Sequence, residues 1–368
     1  MGTRRCALED VALSVGGLNA DFWRKQRVLL TGHTGFKGAW AALWLESLGA
    51  TVHGIALAPD HLPDLFSRLA PFARMRSTIA DIRDAATVVE LVKDAAPTLV
   101  LHMAAQPLVR RSYREPVATF ASNLMGTVNV LDALRDAAGL AAILVVTTDK
   151  VYINNGGGMA FGENCPLGGH DPYSASKACT EIATSAYAQS FFTPAGVSLA
   201  TARAGNVVGG GDWSPDRIVP DIWRATHAGV PLALRYPDAV RPWQHVLDSL
   251  FGYFLYLERL ADPASDVPLA MNFGPGGADN MTVADVADVM TAGLRGAQGW
   301  VRAEGEHPVE AQTLSLDPTL AWDILSWKTR LPARDALRWT ADWYRAFDAG
   351  RDIRELCLAQ IKDYEALA

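Results

Sequence analysis

The sequence feature that most constrains the fold is a short apolar run followed by a glycine-rich turn, an apolar helix pattern and a second apolar run. Residues 28–30 are Val-Leu-Leu, the turn contains Gly32, Gly35 and Gly38, and the helix pattern ends at Gly49, before residues 51–56. This order is typical of dinucleotide-binding units, because glycines let the backbone approach a pyrophosphate and the helix N-terminus offers free N–H groups. Strand and helix patterns then alternate to about residue 200, which predicts an α/β fold with a doubly wound parallel sheet of the Rossmann type.

The turn and the residues after the next two strands are the candidate cofactor site. The turn supplies Gly32, Thr34, Gly35, Phe36, Lys37 and Gly38. Asp60, beyond the second strand, can bind the adenosine ribose or be a solvated loop carboxylate. Asp81 can meet the adenine amine or cap the following helix. No Arg or Lys stands at the end of the second strand to favour a 2′-phosphate, so NAD is preferred over NADP.

A later apolar run, which ends at Val146, leads into Thr148, Asp149 and Lys150. Side chains at the carboxyl end of a sheet strand face the crevice where α/β proteins bind ligands. Asp171 and Pro172 then suit the N-cap and first position of a helix on which Tyr173 and Lys177 share one face. Ionising a tyrosine near neutral pH requires a pKa shift of about three units, or roughly 4 kcal/mol, from its ordinary value of about 10. A neighbouring ammonium and a cationic nicotinamide stabilise the tyrosinate, so the pair can remove a hydroxyl proton while hydride leaves the same carbon.

Composition excludes several classes of partner. A net charge of −7 and a pI near 5.6 argue against nucleic acid or an anionic membrane as the main partner. The four cysteines are scattered without a C-x-x-C pair, which disfavours a disulfide framework and a metal site and favours a cytoplasmic location. No apolar run approaches the ~18–20 residues that span a bilayer. Residues 1–20 are expected to form a loosely ordered leader.

The motifs together resemble the extended short-chain dehydrogenase/reductases, and within them the nucleotide-sugar 4,6-dehydratases. The strings that carry the resemblance are TGHTGFKG (31–38), AAQPLVR (104–110), TDK (148–150), GxDPYSASK (169–177), RAGNVVGGGDW (203–213) and RPWQHV (241–246). The resemblance covers about residues 22–344. It implies that further cofactor contacts come from Ile82, Ala104, Ala105, Gln106, Asn123 and Thr147.

The resemblance also implies a reaction and its residues. Tyr173 would deprotonate the 4-hydroxyl of CDP-glucose while NAD takes hydride from C4, with Lys177 holding the nicotinamide ribose and Thr148 binding the 4-oxygen. Asp149 would protonate the hydroxyl that leaves C6. Lys150 would remove the C5 proton, for which its amine must be neutral. The alternative for Lys150 is a simple ion pair with Asp149.

The rest of the chain is expected to bind the nucleotide sugar. We predict a cofactor domain over residues 21–200 and a smaller mixed α/β domain over residues 201–368, with segments crossing between them. The candidate substrate contacts are Asn206, Arg217, Arg235, Arg241 and Asn272, the last of which can instead cap a turn. Residues 331–367 are predicted to form one helix. By resemblance, the helices that contain Asn123 and Tyr173 form the interface of a homodimer or homotetramer.

Two other functions share parts of this pattern. A nucleotide-sugar 4-epimerase or reductase would use Tyr173 and Lys177, but it expels no hydroxyl and needs no acid at Asp149. A non-catalytic NAD-binding regulator would need neither Thr148 nor Tyr173 nor Lys177. The acid at Asp149 therefore favours a dehydratase, and the resemblance implies a hydro-lyase that converts CDP-glucose to its 4-keto-6-deoxy derivative.

Overall fold

A computed structural model describes residues 14–15, 17–60, 62–305 and 314–367. The strands are β1 (Ser14–Val15), β2 (Leu18–Asn19), β3 (Arg27–Thr31), β4 (Thr51–Ala56), β5 (Met75–Ile79), β6 (Leu99–His102), β7 (Ala142–Val146), β8 (Ser198–Ala204), β9 (Asn206–Val208), β10 (Leu232–Leu234), β11 (Val240–His245), β12 (Ala270–Phe273), β13 (Asn280–Thr282) and β14 (Trp300–Arg302). The α-helices are α1 (Ala20–Trp23), α2 (Phe36–Ser47), α3 (Leu65–Leu69), α4 (Ala85–Ala95), α5 (Val109–Arg114), α6 (Pro116–Phe120), α7 (Gly126–Leu134), α8 (Pro172–Tyr187), α9 (Ile218–Ala228), α10 (Val246–Leu260), α11 (Val283–Gly293), α12 (Thr319–Leu325), α13 (Ala333–Asp348) and α14 (Ile353–Glu365). Ala121–Met125 and Ala188–Phe192 are π-helical, and Asp149–Val151, Thr193–Ala195 and Gly277–Asp279 are 3₁₀ turns.

Seven strands form one parallel sheet in the order β12-β8-β7-β6-β3-β4-β5. The chain winds outward in one direction through β3, β4 and β5 and in the other through β6, β7, β8 and β12. The direction changes between β3 and β6, where Thr31 is paired with His102. Open α/β sheets bind ligands beyond the carboxyl ends of the strands at such a point. The prediction of a doubly wound parallel sheet is confirmed.

Apolar side chains cover both faces of the sheet. On one face, Val28 and Leu30 pack in the larger cluster, which includes Trp40 and Trp44 of α2. On the other face, Leu29 belongs to a second cluster with residues of α4 and α7. Strands buried on both faces read as continuous apolar runs rather than as alternating ones, as residues 28–30 and 142–146 do. The two clusters therefore bury the strands whose carboxyl ends form one edge of the sheet.

The later part of the chain adds two small sheets, β13-β11-β9 and β10-β14. Strand β12 nevertheless lies at the edge of the large sheet beside β8, so a segment from beyond residue 200 returns to it. The division near residue 200 stays a prediction. The single helix predicted over residues 331–367 is wrong. Gly350 has a φ of +69°, and Asp352 caps a new helix, so α13 and α14 are separate.

Most of the expected leader, residues 1–13 and 16, lies outside the described residues. Its last residues are packed rather than loose, because Leu18 is fully buried and the side chain of Asn19 caps α1. Among the described helices, none is long and apolar enough to cross a membrane.

Candidate active site

A cleft with a volume of about 1930 Å³ runs along the carboxyl edge of the large sheet. Its walls include the glycine turn before α2, the segments after β4, β6 and β7, the first turn of α8, and residues between 204 and 241. The cleft therefore lies where the sheet order changes direction, and it brings the predicted cofactor and substrate segments together.

The glycine turn is too tight for side chains at two positions. A Cβ on Gly38 would lie 2.1 Å from the backbone oxygen of Gly32, and one on Gly32 would lie 2.8 Å from the backbone nitrogen of Ala104. Gly32 also has a φ of +79°, which favours glycine. Gly35 and Phe36 line the cleft, so the free N–H groups of the first turn of α2 are available to a pyrophosphate. The turn therefore fits NAD.

The two acidic residues predicted for the adenosine end both line the cleft and both pair with arginines. Arg111 Nη1 lies 3.2 Å from Asp60 Oδ2, and Arg83 Nε lies 2.9 Å from Asp81 Oδ2. The hydrogen bonds from Arg83 lower the pKa of Asp81. Asp81 does not cap the next helix, because Asp84 does so. The pairing of Asp60 with Arg111 was not predicted, because α5 brings Arg111 from 51 residues further along the chain.

The segment after β6 separates into residues that line the cleft and one that supports it. Ala104, Ala105 and Gln106 line the cleft, as does Ile82. Asn123 is buried behind this segment. Its Oδ1 accepts a hydrogen bond from Gln106 N at 2.7 Å, and its Nδ2 donates to Ser176 Oγ at 2.9 Å. Asn123 therefore ties the segment to α8 instead of presenting its amide to the cleft.

Helix α8 begins as the sequence predicts. The side chain of Asp171 accepts a hydrogen bond from Ser174 N, and Pro172 is the first helical residue. Tyr173 and Lys177 lie one turn apart, both buried and both lining the cleft. Lys177 Nζ donates to Val146 O at 2.8 Å, which anchors the helix to the end of β7.

The three residues after Thr147 form a connected polar group. Thr148 Oγ1 donates to Asp149 Oδ1 at 2.9 Å, and Lys150 Nζ lies 3.2 Å from the same oxygen. Thr147, Thr148 and Lys150 line the cleft. Asp149 has no exposed surface, and its Oδ2 has no hydrogen-bond partner among the described residues. This contact between Lys150 and Asp149 is the ion pair predicted as the alternative role of Lys150.

Burial and the surrounding charges act on the ionisation of Tyr173 in opposite directions. Burial raises the pKa of Tyr173, while the Lys150 charge and a hydrogen bond with Thr148 act in the lowering direction. The cations whose charges lower the pKa of Tyr173 are therefore Lys150 and Arg217. Burial lowers the pKa of Lys177 to about 8, against the attraction of Glu181.

Lys37 points from the glycine turn toward these catalytic residues. Its Nζ lies 3.3 Å from Tyr253 Oη. Burial lowers the pKa of Lys37 to about 7, helped by the charges of Arg217 and Lys177 and opposed by Asp149. The charged groups nearest Lys37 are therefore those of Lys177, Asp149 and Arg217, at the end of the cleft that holds Tyr173.

A buried network beneath the site was not predicted. Arg203 Nη2 lies 2.7 Å from Glu181 Oε2, and Arg203 Nη1 donates to Tyr152 Oη at 2.8 Å. Tyr152 in turn donates to Asn272 Oδ1 at 2.7 Å. Asn272 is fully buried and lies outside the cleft lining, so the structure does not place it as a substrate contact. Glu181 lies one turn beyond Lys177 on α8, which is the only sequence signal that could have found it. The Glu181 carboxylate also accepts a hydrogen bond from the Thr147 hydroxyl.

The remaining candidate substrate residues, Asn206, Arg217, Arg235 and Arg241, all line the cleft. Arg217 precedes α9, and its Nη1 lies 3.0 Å from Asp212 Oδ2. The charges of Arg217 and Tyr173 influence each other, which places this guanidinium near the phenol. A planar guanidinium suits a diphosphate because it offers two parallel donors.

Comparison with known proteins places the chain in a family. The profile of the NAD dependent epimerase/dehydratase family matches residues 28–272. A CDP-glucose 4,6-dehydratase of Salmonella typhimurium is 40% identical over 352 residues, covering 94% of this chain and 98% of that protein. A dTDP-glucose 4,6-dehydratase of Xanthomonas campestris is 26% identical, covering 86% of this chain and 92% of that protein.

Solved structures share the fold. The UDP-glucose-4-epimerase of Stenotrophomonas maltophila with bound NAD has a TM-score of 0.77 at 24% identity, covering 88% of this chain and 99% of that chain. The UDP-glucose 4-epimerase of Thermus thermophilus in complex with NAD has a TM-score of 0.72 at 25% identity, covering 86% and 98%. The chain therefore belongs to the NAD-dependent epimerase/dehydratase family, and NAD is its cofactor.

Proposed function

We propose that this protein is a CDP-glucose 4,6-dehydratase, a hydro-lyase that forms CDP-4-keto-6-deoxyglucose for deoxysugar biosynthesis. The observation that carries the proposal is the contact between Thr148 and Asp149 next to Tyr173. It sets a carboxyl group capable of proton donation beside the residues of C4 oxidation. An epimerase or a reductase has no use for that acid. The 40% identical CDP-glucose 4,6-dehydratase supports the choice of nucleotide.

Each catalytic residue has a defined task. NAD, when bound, accepts hydride from C4 and returns it to C6. Tyr173 removes the proton of the 4-hydroxyl, Thr148 binds the 4-oxygen, and Lys177, one turn along α8, binds the nicotinamide ribose. The 4-ketone acidifies the C5 proton. Asp149 protonates the hydroxyl that leaves C6, and Lys150 takes the C5 proton once its ion pair with Asp149 is broken.

The substrate enters on the side of the later chain segments. Arg217, Arg235 and Arg241 line that side of the cleft and supply cations for the diphosphate. Arg241 is largely buried, with Nη1 donating to Val240 O at 2.8 Å, so its position is fixed before binding. Asn206 lines the same wall.

The test is to incubate the protein and catalytic NAD with CDP-glucose and to follow the alkali-induced absorbance of a 4-keto sugar. We expect keto sugar without stoichiometric build-up of NADH, and faster turnover of CDP-glucose than of dTDP- or UDP-glucose. Stoichiometric NADH would indicate a simple dehydrogenase. Equal turnover of dTDP-glucose would overturn the nucleotide assignment alone.

We further propose that the protein is a cytoplasmic homodimer or homotetramer built on α8 and on the helical segment 116–134, which contains Asn123. These neighbouring helices and the π turn between α6 and α7 expose Val117 (82%), Ile182 (60%) and Met125 (51%). Exposed apolar residues clustered on one face are typical of an interface between subunits. Ile182→Glu should yield monomers in light scattering, and an unchanged oligomer would contradict this interface. The free cysteines Cys165, Cys179 and Cys357 suit a reducing compartment.

A further inference from the structure

The first turn of α8 carries Tyr173, and most of its backbone N–H groups are provided for within the turn itself. Pro172, the first helical residue, has no N–H. The side chain of Asp171 accepts a hydrogen bond from Ser174 N at 3.0 Å, and its backbone oxygen accepts one from Ala175 N at 2.9 Å. The first N–H groups of a helix have no partner further inside the helix. Over residues 172–175, the N–H of Tyr173 is therefore the group that neither the proline nor the cap provides for.

Ser112 of α5 supplies the acceptor for this N–H. Its hydroxyl oxygen accepts a hydrogen bond from Tyr173 N at 3.1 Å, although Tyr173 lies 61 residues further along the chain. The same hydroxyl donates to Val109 O at 2.6 Å. A hydroxyl has one proton and two lone pairs, so both bonds can form at once. Ser112 has no exposed surface, so this bond is formed in the interior of the protein.

Other contacts restrict the start of α8 without bonding the N–H of Tyr173. Lys177 Nζ donates to Val146 O at 2.8 Å, one turn further along the helix. The backbone at Gly169 lies so close that an added Cβ would be 2.3 Å from Ala175 N. Ser112 adds to these contacts a direct link between the main chain of Tyr173 and a different element, α5.

We propose that Ser112 is a positioning residue for the C4 oxidation, because its bond to the Tyr173 N–H fixes where the phenol meets the 4-hydroxyl of the sugar. The assignment rests on the proposed function, in which Tyr173 removes that proton. Ser112 lies behind the cleft wall rather than in it, so it acts through Tyr173 and not on the substrate. Proton transfer requires the base within about 2.6–3.2 Å of the oxygen that loses the proton, and a misplacement of about 1 Å can cost about 100-fold in rate.

A serine that only completes the packing of α5 would also be buried and hydrogen-bonded, so the test needs a matched hydroxyl elsewhere. Thr98 provides it, because its Oγ1 accepts a hydrogen bond from Arg27 N at 3.0 Å. This bond lies at the amino ends of β3 and β6, whereas the cleft lies at the carboxyl edge of the sheet. Thr98→Ala therefore removes an acceptor from a backbone N–H without touching the site.

The experiment compares Ser112→Ala with Thr98→Ala in single turnovers of CDP-glucose with NAD that follow the rise of reduced nicotinamide. In Ser112→Ala we expect this rise to be about 10-fold slower, with the dissociation constants of NAD and CDP-glucose within about three-fold of the wild-type values. Thr98→Ala should oxidise within about two-fold of the wild-type rate. An unchanged rate in Ser112→Ala, or a loss that appears only in binding, would overturn the assignment.

Two further variants separate positioning from general support of the fold. Ser112→Cys keeps a side chain of similar shape but offers only a weak acceptor, so it should also slow the oxidation, and wild-type speed there would count against the proposal. When Ser112→Ala is combined with Tyr173→Phe, it should slow that variant by less than about two-fold, since the phenol that it positions is gone. A further loss of about 10-fold in the double variant would show that Ser112 does not act through Tyr173. Absence of both reduced nicotinamide and keto sugar with the wild-type protein would instead contradict the proposed function itself.

Discussion

Replacing Arg203 by methionine removes a buried cation while keeping a side chain of similar length. Arg203 donates to Glu181 Oε1 at 3.0 Å and to Glu181 Oε2 at 2.7 Å, and its Nη1 donates to Tyr152 Oη at 2.8 Å and to Glu163 O at 3.0 Å. The Glu181 carboxylate would then remain buried with hydrogen bonds only from the hydroxyls of Thr147 and Thr201, and with Lys177 as its remaining cationic neighbour. Breaking a buried ion pair from one side costs about 3–5 kcal/mol. We expect Arg203→Met to lose this much free energy of unfolding.

The assay is urea unfolding followed by tryptophan fluorescence, with two controls. Arg203→Met combined with Glu181→Gln should recover about 2 kcal/mol of the loss, because the amide is neutral and still accepts hydrogen bonds. Arg338→Met removes an exposed i,i+3 pair with Asp335 and should change little. A loss below about 1 kcal/mol in Arg203→Met would refute the claim that this ion pair supports the site.

Three further changes test other parts of the account. Tyr173→Phe should lower both reduced-nicotinamide formation and keto-sugar product by about 100-fold or more in steady-state and single-turnover assays, because the base of the first step is lost. Asp149→Asn should still oxidise C4 but accumulate bound NADH and a 4-keto-glucose intermediate, and full dehydratase activity would mean that the acid lies elsewhere. Burial raises the pKa of Asp248 from its ordinary 3.8 to about 7, so the native state binds its proton more tightly and wild-type stability should fall as pH rises between these values. Relative to the wild type, Asp248→Asn should therefore gain about 2 kcal/mol in urea unfolding from pH 5 to pH 7, and parallel pH profiles would contradict this.

Local sequence patterns predicted the elements whose causes are local. The glycine turn, the Asp171 cap and the shared face of Tyr173 and Lys177 depend on residues within a few positions of one another. The apolar runs at 28–30 and 142–146 read directly as strands buried on both faces. These features were enough to locate the cleft at the carboxyl edge of the sheet.

The residues that the sequence missed are held by distant partners. Arg203 meets Glu181 from the neighbouring strand, and Asp60 meets Arg111 through α5, which no local pattern records. Asn272 was predicted to bind substrate or cap a turn because it precedes Phe-Gly-Pro. Its side chain is instead buried and accepts a hydrogen bond from Tyr152 Oη. The break between α13 and α14 depends on the positive φ of Gly350. The sequence did not reveal it, because an isolated glycine is tolerated within a helix pattern.

The most direct test of the dehydratase reaction follows a deuterium atom placed at C4 of CDP-glucose. If oxidation at C4, elimination and reduction at C6 occur in one cleft with one NAD, the product should carry that deuterium in its C6 methyl group. Mass spectrometry and proton NMR of the product would report its position. Deuterium lost to water, or left on the nicotinamide after turnover, would contradict the reaction proposed for Tyr173, Thr148 and Asp149.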